Sequence, residues 1–180
     1  MQLNNTKVKY GMVSIVLHWS MALTIFGLFG LGLYMVELSY YDAWYRGSLE
    51  LHKAMGIILF MCLIFRLLWR NFSGIPDELA NNSKTVNLIA KWVHRLLYLL
   101  LTILMISGYL ISTADGRSIS VFELFEVGAI PAFHENQEDI AGVIHWGLAW
   151  GLIALVVLHA LAALKHHFID KDKTLTRILP

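Results

Sequence analysis

His145 and His159 stand fourteen residues apart in the last long apolar stretch of the chain. In an α-helix that spacing is nearly four turns, so both rings share one face, about 40° apart around the axis and about 21 Å apart along it. The hydrocarbon core of a bilayer is about 30 Å thick, which places one ring toward each side. Imidazole is a common iron ligand, and two of them stacked on one helix face point to two haems at two depths. Each would need a partner ring at matching depth on another helix.

Candidate partners are present. His18 lies six residues inside the apolar stretch that starts at Met12, and His159 lies six residues before Lys165. Both are about 9 Å inside one face, at 1.5 Å per residue. His52 and His145 lie near the opposite ends of their stretches and also match. The expected axial pairs are therefore His18 with His159 and His52 with His145. His94 sits only about a turn from the surface, so it is the poorer alternative to His18 as a ligand and better suited to the edge of a propionate or a quinone. Arg66 follows His52 by fourteen residues, which brings its guanidinium to the inner level on the same face, where it could pair with a propionate or a quinone oxygen. Gly27, Gly30, Gly32, Gly56, Gly147 and Gly151 cluster around these rings. They would admit a macrocycle close to the backbone, or equally permit tight helix packing. His134 falls in a loop, and His166 and His167 follow Lys165 at a juxtamembrane, solvated position; none of these three is expected to be a haem ligand.

The elements that must position these rings are membrane spans. The chain is 57% hydrophobic and 15% charged over 180 residues, with a mean hydropathy of +0.60. That is too apolar for an ordinary soluble domain. Four stretches are long enough to cross a bilayer, Met12–Val36, Leu51–Trp69, Trp92–Ser112 and Gly142–Leu164, and little lies between them, which predicts one membrane domain over residues 1–180. The first run is longer than a signal-peptide core and no small-residue cleavage site follows it, so it is expected to stay as a helix. With the N-terminus inside, eleven of the fourteen Lys and Arg residues fall on inner segments, and only Arg46, Lys53 and Arg117 on outer ones. Both termini are therefore expected in the cytoplasm.

Between the spans, Tyr40, Tyr41, Trp44 and Tyr45 read as an interfacial belt. The segment 71–90 reads as a polar connection, with Gly74 and Pro76. In the long outer loop Thr113–Ala141, Val121–Val127 carries apolar residues at helical spacing and is expected to lie on the membrane as a helix. The tail from His166 is expected to be a solvated helix end. Cys62 is the sole cysteine, and without a C-x-x-C-H motif any haem is held by coordination and packing alone.

Taken in order, these residues resemble the bacterial cytochrome b561 family over nearly the whole chain. The carriers are His18-Trp19, His52-Lys53-Ala54-Met55-Gly56, Trp92-Val93-His94-Arg95-Leu96-Leu97-Tyr98, His145-Trp146, Leu158-His159-Ala160-Leu161-Ala162-Ala163-Leu164-Lys165-His166-His167, and the ending Asp170-Lys171-Asp172-Lys173-Thr174-Leu175. No single motif is specific; their order and spacing together are. The resemblance implies an all-α integral membrane four-helix bundle enclosing two b-type haems, each bis-histidine, in the bacterial inner membrane. Its ligands fall on His18, His52, His145 and His159, the set that depth selects. It also implies electron exchange with membrane quinone, ubiquinone being the expected one, as part of respiratory electron transport.

Three functions follow from this reading. The first is a quinone-linked oxidoreductase; some members of the family resemble superoxide oxidases, which pass an electron from superoxide to ubiquinone. Nine outer carboxylates, Glu37, Asp42, Glu50, Asp115, Glu123, Glu126, Glu135, Glu138 and Asp139, face three outer bases, a balance that repels an anion and favours a cationic donor. The second is a haem-bearing anchor and electron conduit for a separate periplasmic redox enzyme or carrier, with the outer loop as its dock. The third is a haem-free transporter or proton relay. No nucleic-acid partner is expected.

Overall fold

A polar backbone in hydrocarbon must satisfy its own hydrogen bonds, and the four apolar stretches do so as helices. The computed structural model describes residues 2–79 and 82–179. It contains α1 (Met12–Val36), α2 (Tyr45–Ser73), α3 (Lys84–Ser112) and α4 (Gln137–Phe168), with strands β1 (Ile119–Val121) and β2 (Phe125–Val127) between α3 and α4. All four helices are long and apolar enough to cross a membrane. The fold is an all-α membrane four-helix bundle.

Hydropathy locates the first helix to the residue and finds only the lipid-facing middle of the others. Tyr45 to Glu50 precede the expected start of α2, and Lys84 to Lys91 that of α3. These flanks are polar, yet the backbone ladder continues through them. At α3 the Ser83 hydroxyl caps the first turn by accepting from the Val86 amide at 3.3 Å, which satisfies one of the helix's free N–H groups. The inner connection is correspondingly shorter than 71–90; Ala80 and Asn81 within it lie outside the described residues.

α1 packs mainly on α2, and α3 on α4, while α1 and α4 barely touch. A single buried cluster joins all four: Met21 and Leu28 of α1, Leu59 and Leu63 of α2, Leu101 and Leu104 of α3, and Leu152 of α4. Leu152 stands midway between His145 and His159, so this apolar core lies between the two histidine levels. Outward, large apolar side chains such as Leu23, Leu68, Val143 and Leu158 stay exposed, as they must where the solvent is lipid.

Two expectations are corrected here. Val121–Val127 is not a helix but part of an antiparallel hairpin, with Ile119 opposite Val127, Ser120 opposite Glu126 and Val121 opposite Phe125. Ile119 and Val121 are buried on the side that meets α2. Phe122 and Glu123 form the turn with φ of 51° and 59°, and the Leu124 amide donates to the Val121 carbonyl at 3.0 Å. A type I′ turn normally announces itself with Asn or Gly. Neither is present, and the surviving apolar spacing imitates a helix.

The tail is less solvated than expected: Asp170, Lys171, Lys173 and Thr176 are exposed, but the segment is tied back to the bundle. The Tyr10 amide donates to the Arg177 carbonyl at 3.2 Å, Arg177 donates to the carbonyls of Lys7 and Val8, and the Trp19 indole donates to the Ile178 carbonyl at 2.8 Å. The terminal segments are thereby clasped together on one side of the bundle. Asn5 ties the N-terminal segment to the end of α2 through Ser73 and Gly74, both at 2.7 Å. Gly11 makes that turn possible, since a Cβ there would stand 2.3 Å from the Leu3 carbonyl oxygen.

Candidate functional site

The four helices bring the expected histidines into two pairs. The rings of His52 on α2 and His145 on α4 have their centres 6.3 Å apart, inclined at 69°. Those of His18 on α1 and His159 on α4 are 6.4 Å apart at 75°. A metal–imidazole nitrogen bond is about 2 Å, and the ring centre lies about 1 Å further on, so two imidazoles on opposite sides of one ion have centres about 6 Å apart. Both pairs fit that spacing. Each also bridges one helix hairpin to the other, across the interface that the α1–α4 packing leaves loose.

At the His52–His145 level, His145 Nδ1 lies 3.1 Å from the Leu104 carbonyl oxygen and 3.2 Å from Ser107 Oγ. The Ser107 hydroxyl itself donates to the Leu104 carbonyl at 2.9 Å. Both groups can therefore accept from an Nδ1–H, a tautomer that leaves Nε2 with its lone pair free for a metal. Gly108 makes room for this ring: a Cβ there would stand 3.0 Å from His145 Cε1 and 3.3 Å from Nδ1. Gly32 does the same for His52, at 3.4 Å from Cε1. His52 Nδ1 is buried and has no hydrogen-bond partner. Of the six glycines singled out from the sequence, only Gly32 lies against a histidine; Gly27, Gly30, Gly56, Gly147 and Gly151 adjoin open space. Gly108 and Ser107 were not legible, because their value depends on which turn of α3 crosses α4.

At the His18–His159 level three rings converge. His94 lies 5.2 Å from His159, at 71°. That is shorter than the separation of two rings facing one ion from opposite sides, so the pair is an edge contact, whereas His18 with His159 has the ligand spacing. Arg66 reaches the same place. Its Nε donates to the Tyr98 hydroxyl at 3.0 Å, and its Nη2 stands 3.4 Å from His18 Nδ1. A guanidinium has five N–H donors, and these contacts occupy two. Trp69 adds a buried indole N–H without a partner near the same end of α2.

Paired histidines at metal-ligand spacing inside a membrane bundle point to the class of membrane cytochromes. The family model for prokaryotic cytochrome b561 matches residues 9–180, and the chain belongs to that family. It is 51% identical over 179 residues to "Cytochrome b561 homolog 2" of Escherichia coli strain K12, covering 99% of this chain and 95% of that one. It is 29% identical over 176 residues to "Probable superoxide oxidase CybB" of Yersinia pestis, covering 96% of each. It is 30% identical to "Cytochrome b561 homolog 1" of Escherichia coli K12 over 133 residues, 73% of this chain and 74% of that one. Family membership brings b-type haem and electron transport with it, in a multi-pass bacterial membrane protein.

Proposed function

We propose that this chain is a dihaem cytochrome that carries electrons across the bacterial inner membrane in exchange with quinone, with both termini in the cytoplasm. The observation that carries the reading is the pair of ring separations, 6.4 Å and 6.3 Å. His52 and His145 would hold one haem b, and His18 and His159 the other. When bound, the haems supply reversible one-electron chemistry.

The residues fix how that chemistry is used. With two imidazoles available to each haem, no open position would remain at the iron for oxygen. The leucine layer between the levels keeps water and ions from following the electron. Ser107 and the Leu104 carbonyl orient His145 and raise its basicity as a ligand. At the inner level Arg66, with donors to spare, and His94 at the edge of His159 are placed to hold a haem propionate or a quinone carbonyl. Arg66 and His94 are thus positioning or binding groups, and the quinone is expected on their side.

The Yersinia relative's name makes superoxide a donor to test. The outer cations are few: Arg117 is held by Asp115, leaving Lys53, next to His52, and Arg46 as bases for an anion. A separate periplasmic redox partner carrying positive charge is the second reading, favoured by the nine outer carboxylates.

The deciding experiment uses the detergent-purified full chain. Haem per chain and a reduced-minus-oxidised spectrum are measured for the wild type and for alanine at His18, His52, His145 and His159. Two low-spin b haems are expected, with His52→Ala and His145→Ala losing the same one and His18→Ala and His159→Ala the other. A single haem, or losses that do not pair, overturns the assignment. Ubiquinone reduction driven by superoxide in the isolated chain then separates an oxidoreductase from an electron conduit that needs a partner.

A further inference from the structure

Just beyond the last span, three side chains converge that the haem sites do not use. His166 Nδ1 lies 2.9 Å from Asp170 Oδ2 and 3.1 Å from Asp172 Oδ2, and the three donor atoms lie within 4.8 Å of one another. The Asp172 side chain is 8% exposed and that of His166 17%. His166 Nδ1 and Asp172 Oδ2 are nevertheless buried atoms without a hydrogen-bond partner. They are close enough to pair but not aimed at each other as donor and acceptor.

The backbone builds this arrangement. The Asp170 amide donates to the Lys165 carbonyl at 3.2 Å and the Asp172 amide to the His166 carbonyl at 3.0 Å. Lys171 turns the chain with φ of 53°. The Thr174 amide donates to Asp172 Oδ1 at 2.7 Å, fixing that oxygen and leaving Oδ2 for another partner.

We infer that His166, Asp170 and Asp172 form a binding site for a divalent transition cation of the zinc type at the cytoplasmic end of α4. One imidazole nitrogen and two carboxylate oxygens suit zinc, and donors at about 2 Å from a tetrahedral ion stand about 3.3 Å from one another. The two nitrogen–oxygen separations are close to that. A carboxylate-rich set with one nitrogen is softer than calcium or magnesium sites, which take oxygen alone. Three protein donors leave the fourth position to water. Lys165 Nζ, 2.7 Å from Asp170 Oδ2, competes for the same oxygen and swings out to solvent when the cation enters. The site is independent of the haem assignment.

The test is a zinc titration of haem-loaded, chelator-washed full-length protein in detergent, read by calorimetry and by zinc per chain after gel filtration. One zinc per chain is expected for the wild type, with affinity at least tenfold lower in His166→Ala and Asp172→Asn and higher in Lys165→Ala. An unchanged haem spectrum establishes that each variant is folded; if His166→Ala fails this check, Asp170→Asn takes its place. Absence of stoichiometric zinc in the wild type would mean an ion pair only and overturn the site. Equal zinc affinity in the folded ligand variants would overturn it as well, and unchanged affinity in Lys165→Ala would remove Asp170 and with it the three-donor site.

Discussion

At the scale of the residue, the outer pair depends on two side chains of α3 that bear no chemistry of their own. A Gly108→Ala methyl would stand 3.0 Å from His145 Cε1, so the ring must shift or tilt. Overpacking of this kind costs about 1–3 kcal/mol. Under the proposed dihaem assignment, the expected outcome is weaker retention and an altered potential of the haem held by His52 and His145 alone, read as one displaced component in a two-step redox titration. Ser107→Ala removes one acceptor from His145 Nδ1 and should weaken outer-haem retention by about tenfold, the lower range for loss of a ligand-orienting group. Its check is haem dissociation into apomyoglobin, with the inner haem as internal control. The pairing of the histidines by depth is legible because the depth of a residue in a helix follows from counting along it. Gly108 and Ser107 are not, since any small residue on α3 looks alike until α4 is laid against it.

At the scale of the element, two local features carry measurable stability. Ser83→Ala deletes the only side-chain cap found on the described helices and should lower thermal stability by about 1 kcal/mol, leaving both haem spectra intact. In the outer hairpin, Glu123 adopts φ of 59°, a region that costs an L-residue about 1–2 kcal/mol. Glu123→Gly should relieve part of this and increase hydrogen-exchange protection of the Leu124 amide. A helix over 121–127 would instead lose protection. The failure of the helical reading has a plain cause: three apolar residues at helical spacing also serve a short hairpin whose burial comes from α2, and a seven-residue window holds no record of α2.

For the whole molecule, the leucine layer and the charge distribution matter together. Leu152 is 2% exposed, and Leu152→Ala should cost about 2–5 kcal/mol through the cavity it leaves, measured by thermal unfolding, with both haems still bound. The excess of outer carboxylates predicts that a superoxide-driven rate rises as ionic strength is raised from about 0.01 M to about 0.15 M, because screening weakens the repulsion of an anion. A fall in rate over the same range would point to local attraction at Lys53 or Arg46. The clasp between the Arg177 region and residues 7–10 puts both termini on one face, and reporter fusions at each end should both read as cytoplasmic.

The sequence by itself determined the membrane bundle, the four spans and the two levels of histidine, because hydropathy and the 3.6-residue repeat are properties of single segments. It also determined the asymmetry of charge across the membrane, which is a matter of counting. Which rings meet, which glycines face them, and that His94 touches His159 edge-on were decided only by how four helices pack, since each is a distance between elements far apart in the chain. The same holds for the carboxylates gathered around His166, where a reversal of the backbone after α4 half-buries part of a tail that composition alone assigns to solvent.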